Sequence, residues 1–184
     1  LWPLMQHLLF KMDAEDAHRW TLETLDEYPN VASRFLKMTC TRPPKSAMRT
    51  VAGLQLASPI GLAAGLDKDG EALPVWEHVG FGFIEVGTVT AHAQEGNPRP
   101  RLFRLKEDEG IINRMGFNNL GSLALMKRIV ALRELNMWPS IPVGANVGKS
   151  KITPLKEAGE DYRTSIERLQ GLVDYFTVNV SSPN

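Results

Sequence analysis

Residues 175–184 read YFTVNVSSPN, an apolar run that hands over to Asn179, Ser181, Ser182 and Asn184 around a turn containing Pro183. Carboxamides both donate and accept hydrogen bonds, so two of them flanking two hydroxyls can grip a polar ring at several edges. A serine hydroxyl acts as a base or nucleophile only when a neighbour relieves its high pKa. No His or Asp adjoins this pair in sequence, so spacing alone assigns no role, and Ser-Ser-Pro-Asn is also an ordinary turn. No G-x-S-x-G elbow is present, which argues against a serine hydrolase. A second stretch, AAGLDKDG (63–70), sets Lys68 just past an apolar run. A lysine there is either a solvated loop residue or a cation holding a substrate carboxylate or a reduced, anionic flavin. A third, NRMGFNN (113–119), gathers three asparagines around one aromatic. It is a plain Asn/Gly loop or part of a binding site.

Other chemistries find little support. The histidines stand at 7, 18, 78 and 92 without metal-ligand spacing, and the single cysteine, Cys40, has no partner, so no metal site is expected. G-x-G-x-x-G and G-x-x-x-x-G-K-[ST] are absent, which removes the Rossmann and P-loop readings. A formal net charge of zero gives no basic surplus for nucleic acid. One cysteine suits a reducing compartment or indifference to redox. Hydrophobic content of 43% and charged content of 23% are ordinary for a globular chain of 184 residues. No run of about 18 apolar residues predicts a membrane span, and no basic-then-apolar leader follows Leu1.

The elements that must position these residues change character near TRPPKS (41–46), a linker-like stretch. Before it the pattern is helical. Leu4, Met5, Leu8, Leu9 and Met12 recur at helical spacing in 1–12. Asp13 caps a second helix with acidic residues in its first turn, and Ala17, Trp20, Thr21, Thr24, Leu25 and Tyr28 are expected to line its buried face. A third helix is expected over 31–38. After the linker, apolar runs at 59–65, 82–88, 142–148 and 175–181 alternate with helical stretches near 69–79, 119–136 and 157–171. Continuous apolar strands alternating with helices predict a parallel sheet covered on both faces. The insertion 89–118 is expected to carry a small antiparallel pair. Four such units fit half of a (β/α)8 barrel or a small open sheet. On a barrel, the strand ends would deliver Ala64-Gly65, Gly87-Thr88, Asn146 and Asn179 to one rim. That set suits a flat, uncharged, heteroatom-rich ligand such as a flavin or a pyrimidine. Glu85 lies inside an apolar strand and needs a partner if buried. The N-terminal helices are either an amphipathic cap on the barrel or an interfacial pair on a membrane.

Six motifs, GLAAGLDKDGEA, GFGFIEVGTVT, EGNPRPRLFRL, INRMGFNNLG, GANVGKSK and VNVSSPN, occur in order over 59–184 and together resemble class 2, quinone-dependent dihydroorotate dehydrogenase, nearest to bacterial members. The segment DAEDAHR also looks like that family's membrane-associating extension. The resemblance implies an α/β fold, the first half of a TIM barrel over 43–184, preceded by an N-terminal helical extension over 1–42. It implies an FMN enzyme that oxidises dihydroorotate to orotate in pyrimidine synthesis and passes electrons to ubiquinone or menaquinone. Ser182 matches the catalytic base, where class 1 relatives carry cysteine. Lys68, Asn113, Arg114, Met115, Gly116, Phe117, Asn179 and Asn184 match the substrate site and the loop over it. Ala64, Gly65, Leu66, Asp67, Lys68, Thr88, Asn146 and Asn179 match the FMN site. Leu4, Met5, Leu8, Leu9, His18, Leu66 and Arg104 match the quinone tunnel. A peripheral location follows, on the cytoplasmic face of a bacterial inner membrane or on a mitochondrial inner membrane.

The sequence departs from the family by carrying only about half its length. The later strands, a second lysine and the Gly-rich phosphate loops lie outside it. The chain alone is therefore expected to be inactive and unstable, needing the rest of the barrel from the same or a separate chain. Two rivals remain: another flavin-dependent barrel oxidoreductase, against which Ser182 and the N-terminal helices argue, and an inactive fragment.

Overall fold

The computed structural model describes residues 2–181, with side chains from residue 6 onward. Three helices come first: α1 (Trp2–Leu9), α2 (Ala14–Glu27) and α3 (Pro29–Thr39). Asp13 caps α2 as expected, its Oδ1 accepting from the Glu15 and Asp16 amides at 2.8 and 3.3 Å. The buried face of α2 differs from the expected one. Glu15, Ala17 and Leu22 turn inward, while Trp20 and Tyr28 are 52% and 53% exposed. Charge decides the rotation. Glu15 is drawn onto Arg101 (2.6 Å) and Arg19 onto Glu71, which swings the Trp20 edge into solvent.

A 3-10 turn (Lys45–Ala47) leads to a short hairpin of β1 (Arg49–Val51) and β2 (Leu54–Leu56). The expected first strand, 59–65, forms no full ladder. It runs as an extended edge segment with a single parallel bridge, Leu62 to Ile84, and hydrogen bonds at Ile60, Leu62 and Gly65. The helical stretch expected near 69–79 shrinks to α4 (Leu73–Trp76). Its neighbours wind with i-to-i+3 bonds, Val75 to Ala72, His78 to Val75 and Val79 to Trp76.

The central sheet holds β3 (Ile84–Val89), β6 (Val143–Gly148) and β7 (Tyr175–Asn179), all parallel. Between β3 and β6 lie β4 (Leu102–Leu105) and β5 (Gly110–Asn113), the expected antiparallel pair, and α5 (Ser122–Glu134). Helix α6 (Ala158–Leu169) joins β6 to β7. Sheet neighbours follow chain order without reversal, which is how a (β/α) barrel wall is laid down; a doubly wound sheet would show a switch point. Ile84, Val86, Val143 and Val147 are fully buried and pack with Leu73, Leu125, Ile129 and Leu169 from the three covering helices. Among the described residues, β7 pairs only with β6.

The Glu15–Arg101 pair is nearly solvent-free at both ends. Arg101→Ala leaves that buried carboxylate only the half-exposed Arg99, 3.1 Å away, with an expected loss of about 3 kcal/mol in urea unfolding. Hydrogen bonds from Arg101 hold the Glu15 carboxyl below its ordinary 4.5. A carboxyl lowered in the folded state stabilises the fold above its unfolded value, and the gain is lost as pH falls through the lowered one. The stability difference between wild type and Glu15→Gln should therefore be level near neutrality and shrink below about pH 4.5. A difference independent of pH would overturn this.

Candidate functional site

The strand ends and the N-terminal helices enclose one cavity of about 730 Å³. Its two walls differ in chemistry. Leu9, Phe10, Ala14 and Ala17 from the helical segment, with Leu102 and Ile111 from the β4–β5 pair, make an apolar wall. Lys68, Thr88, Asn146 and Asn179 from the strand ends, with Asn113, make a polar one.

Gly65 stands on the rim at φ +107, and a Cβ built there would meet nothing within 4 Å. The backbone is thus open for a flat group to lie against it. Gly87, at φ +97, serves closeness of another kind. A Cβ there would overlap the Asn146 carbonyl, so glycine lets β3 approach β6 and brings the Thr88 hydroxyl to Asn146 Oδ1 at 2.6 Å. Thr88 also accepts from Asn179 Nδ2 at 3.2 Å, and Asn146 Nδ2 donates to Glu85 Oε1 at 2.9 Å. Glu85, whose partner was not legible in sequence, is half-buried and takes a further 2.9 Å bond from the Thr177 hydroxyl.

Lys68 is half-buried on the cavity wall, and burial pushes its ammonium below the ordinary lysine value. Its Nζ makes no hydrogen bond or ion pair among the described residues, whereas Arg19, Arg99 and Arg101 are all paired with carboxylates. A desolvated cation facing a cavity favours an anion. His18 is also lowered by burial, hence neutral near pH 7, and its Nε2–H donates to the Leu66 carbonyl at 2.6 Å. Arg104 reaches the cavity too, but its guanidinium caps α1 through the Met12 and Leu9 carbonyls (2.8 and 3.3 Å) and covers the Phe10 ring at 4.8 Å.

Two expected site residues face elsewhere. Asp67 is fully buried with its carboxylate spent on the Glu71 and Ala72 amides and the Trp76 indole (2.7, 2.9 and 2.8 Å), so it braces the loop from behind. Leu8 is 57% exposed, because on α1 the neighbouring position, Leu9, takes the cavity side. The Leu4 and Met5 side chains, and Ser182 and Asn184, lie outside the described residues.

The loop 113–117 closes over the cavity, with Met115 and Gly116 buried. Phe117 is held at φ +53, a left-handed conformation rarely taken by an aromatic residue and common where function constrains a loop. Supports missed in sequence hold it there. Asn119 Nδ2 donates to the Phe117 carbonyl (2.6 Å), Gln94 Nε2 to Gly116 (3.0 Å) and Asn97 Nδ2 to Arg114 (2.8 Å). Arg101 in turn holds the Glu95 and Asn97 carbonyls at 2.6 and 2.8 Å. The Arg114 guanidinium is engaged by the Pro100 carbonyl at 3.1 Å and lies 5.5 Å from the Phe103 ring.

Comparison with known proteins gives a consistent answer. The family described as dihydroorotate dehydrogenase matches residues 46–184. Dihydroorotate dehydrogenase (quinone) of Gloeobacter violaceus is 53% identical over 185 residues, covering 100% of this chain and 51% of that protein. The Chloroflexus aurantiacus protein of the same name is 50% identical, covering 96% and 49%. The Burkholderia pseudomallei one is 50% identical, covering 100% and 52%. The chain spans about half the length of the curated relatives it matches. Among solved structures, Eimeria tenella DHODH in complex with ferulenol superposes with TM-score 0.78 at 35% identity, covering 92% of this chain and 44% of that one. The ligand-free form superposes with TM-score 0.70 at 36% identity, covering 85% and 46%. The barrel-type α/β fold is shared with them.

Lys68 is the charge on the polar wall that a carboxylate ligand would meet. Lys68→Met should weaken binding of a small carboxylate-bearing heterocycle at least tenfold by calorimetry, the size of one charged hydrogen bond. Because the folded lysine titrates below 10.5, wild-type affinity should fall with rising pH before that value is reached. Equal affinities in the two proteins would remove Lys68 from the site.

Proposed function

The chain belongs to the dihydroorotate dehydrogenase family, and on that premise we propose that it is the part of a quinone-dependent enzyme that binds dihydroorotate, the FMN ring and the quinone in pyrimidine synthesis. The observation that carries the reading is the two-walled cavity, where a polar floor for a charged ring substrate adjoins an apolar passage for a lipid-soluble one.

The residues divide accordingly. Lys68 would hold the substrate carboxylate, and Asn113 and Asn179 the polar edges of its ring, with the Met115–Phe117 loop excluding water above them. Ala64, Gly65 and Leu66 would lie along the FMN ring, and Thr88, Asn146 and Asn179 would bond to it. The open backbone at Gly65 and the amide-lined floor fit a flat heteroaromatic group. When bound, FMN would supply the acceptor for the hydride leaving C6 of dihydroorotate. Ser182 would take the C5 proton, and Asn184 would bind the substrate. A dry site favours that transfer, because water would otherwise compete for the serine hydroxyl.

The passage between α1, α2 and the β4–β5 pair would admit ubiquinone or menaquinone past Leu9, His18, Leu66 and Arg104. Residues 1–42 would then form the membrane-associating part and 43–184 the barrel part. Met12, Trp20, Val31, Phe35 and Met38 are exposed apolar side chains on this helical segment. Among the described residues no helix is long and apolar enough to cross a membrane. These features support a peripheral attachment, on the cytoplasmic face of a bacterial inner membrane or on a mitochondrial inner membrane. The edge of β7 left unpaired among the described residues and the extended segment 59–65 would pair with the remaining half of the barrel, from the same or a separate chain.

The test is dihydroorotate-dependent reduction of a short-chain quinone by the full-length protein, with flavin absorbance recorded on the same sample. Bound flavin and turnover are expected. Ser182→Ala should keep the flavin and lose catalysis about a hundredfold or more, the usual contribution of a positioned base. Protein that binds no flavin, or a Ser182→Ala variant with wild-type turnover, would overturn the reading.

A further inference from the structure

Hydrogen-bonding capacity fixes more than contacts on the polar wall; it fixes a direction. A carboxylate can only accept, a backbone N–H can only donate, and an amide or hydroxyl can do both. Glu85 Oε1 accepts from Asn146 Nδ2 at 2.9 Å, so the Asn146 amide must turn its oxygen the other way, and Oδ1 accepts from the Thr88 hydroxyl at 2.6 Å. The one Thr88 proton is then spent, and Thr88 Oγ1 can only accept, from Asn179 Nδ2 at 3.2 Å. Asn179 Oδ1 is left for donors, and it accepts from the Ser181 amide and hydroxyl at 3.1 and 2.8 Å. An acceptor-only group closes one end of this chain and a donor-only group the other.

We infer that Glu85, a half-buried residue outside the cavity lining, sets the polarity of its floor as a positioning residue. With the relay running one way, the unspent groups of Asn146 and Asn179 include one N–H each, and both residues line the cavity. The floor therefore offers N–H donors, and the ligand edge that meets them must be an acceptor edge, a ring carbonyl or imine nitrogen. This rests on the reading above in taking that ligand to be the flavin or the pyrimidine. An isolated Asn pair would flip to suit either edge; the Ser181 end of the relay is exposed to water, so the firmer anchor that selects one edge is Glu85.

The test compares wild type, Glu85→Leu, Glu85→Gln and Thr177→Val in the full-length protein. Thr177 is the control, since it bonds Glu85 but stands off the relay. Side-chain amide resonances of Asn146 and Asn179 are recorded first, without ligand. Glu85→Leu should shift both, including Asn179, to which Glu85 makes no direct bond. Thr177→Val should shift neither, and Glu85→Gln, which keeps an acceptor oxygen, should restore the wild-type pattern. FMN is then titrated into flavin-free protein by fluorescence quenching. Glu85→Leu should bind about tenfold more weakly, the worth of one misdirected hydrogen bond, and Glu85→Gln and Thr177→Val within about threefold of wild type. If Glu85→Leu moves Asn146 alone, or Thr177→Val lowers affinity equally, Glu85 is merely structural and the inference fails while the flavin reading stands. If the resonances couple as described but wild type takes up no flavin, the flavin reading fails and the relay stands.

Discussion

Three parts of the molecule meet at the ion pair between Glu15 and Arg101. Glu15 lies in the first turn of α2, and Arg101 leads into β4. The remaining guanidinium nitrogen of Arg101 holds the Glu95 and Asn97 carbonyls, and Asn97 holds both ends of the Arg114–Met115 link. A helix outside the barrel wall, the hairpin over it and the loop that roofs the cavity are thereby tied to one side chain. Two charges so close in a dry site cost much to desolvate, and the geometry offsets that cost only when every remaining donor is used. Here Arg101 places Nε, Nη1 and Nη2 on acceptors. Arg19–Glu71, Arg99–Asp16 and Arg128–Asp26 add further pairs along the same helix. As partly exposed contacts they contribute less individually and serve more to fix orientation.

That docking makes the cavity two-walled. Neither wall alone encloses it: the strand ends supply amides, a hydroxyl and a lysine, and the helices and hairpin supply hydrocarbon. Covering Lys68 with that hydrocarbon lowers its pKa and raises the value of an anion beside it, since both effects come from removing water. The hold of this wall on any anion thus depends on an ion pair that lies outside the cavity lining.

Much of this was legible where the signal is local. The α2 cap, the runs that became β3, β6 and β7, and the β4–β5 pair all follow from neighbours in sequence. What escaped depends on distant partners. The motif containing Asp67 runs beside the cavity, but the direction of the carboxylate is set by Trp76, nine residues on. Of the three asparagines in NRMGFNN, Asn113 lines the cavity, Asn119 braces the loop, and Asn118 buries an Oδ1 that finds no partner among the described residues. Composition cannot distinguish them. The rotation of α2 was missed because apolar periodicity ranks Trp20 above Glu15, whereas a buried arginine reverses that order.

A cavity with two unlike walls can sort unlike ligands, and in this one charge does the sorting. Four side chains that can carry positive charge reach it: Lys68, His18, Arg104 and Arg114. His18 is neutral near pH 7 because burial lowers its pKa, and its Nε2 proton is spent on Leu66. The Arg104 charge is spread over the Leu9 and Met12 carbonyls and an aromatic face, and the Arg114 charge over the Pro100 carbonyl and the Phe103 ring. Lys68 alone of the four is left without a partner among the described residues, and it stands on the polar wall. An anion gains most at the strand ends and would have to shed water without reward along the helices. A neutral, apolar ligand gains most along the helices and finds on the floor only hydrogen-bonding groups it cannot satisfy. Two such ligands would therefore need no gate between them, since each wall favours the one that the other disfavours.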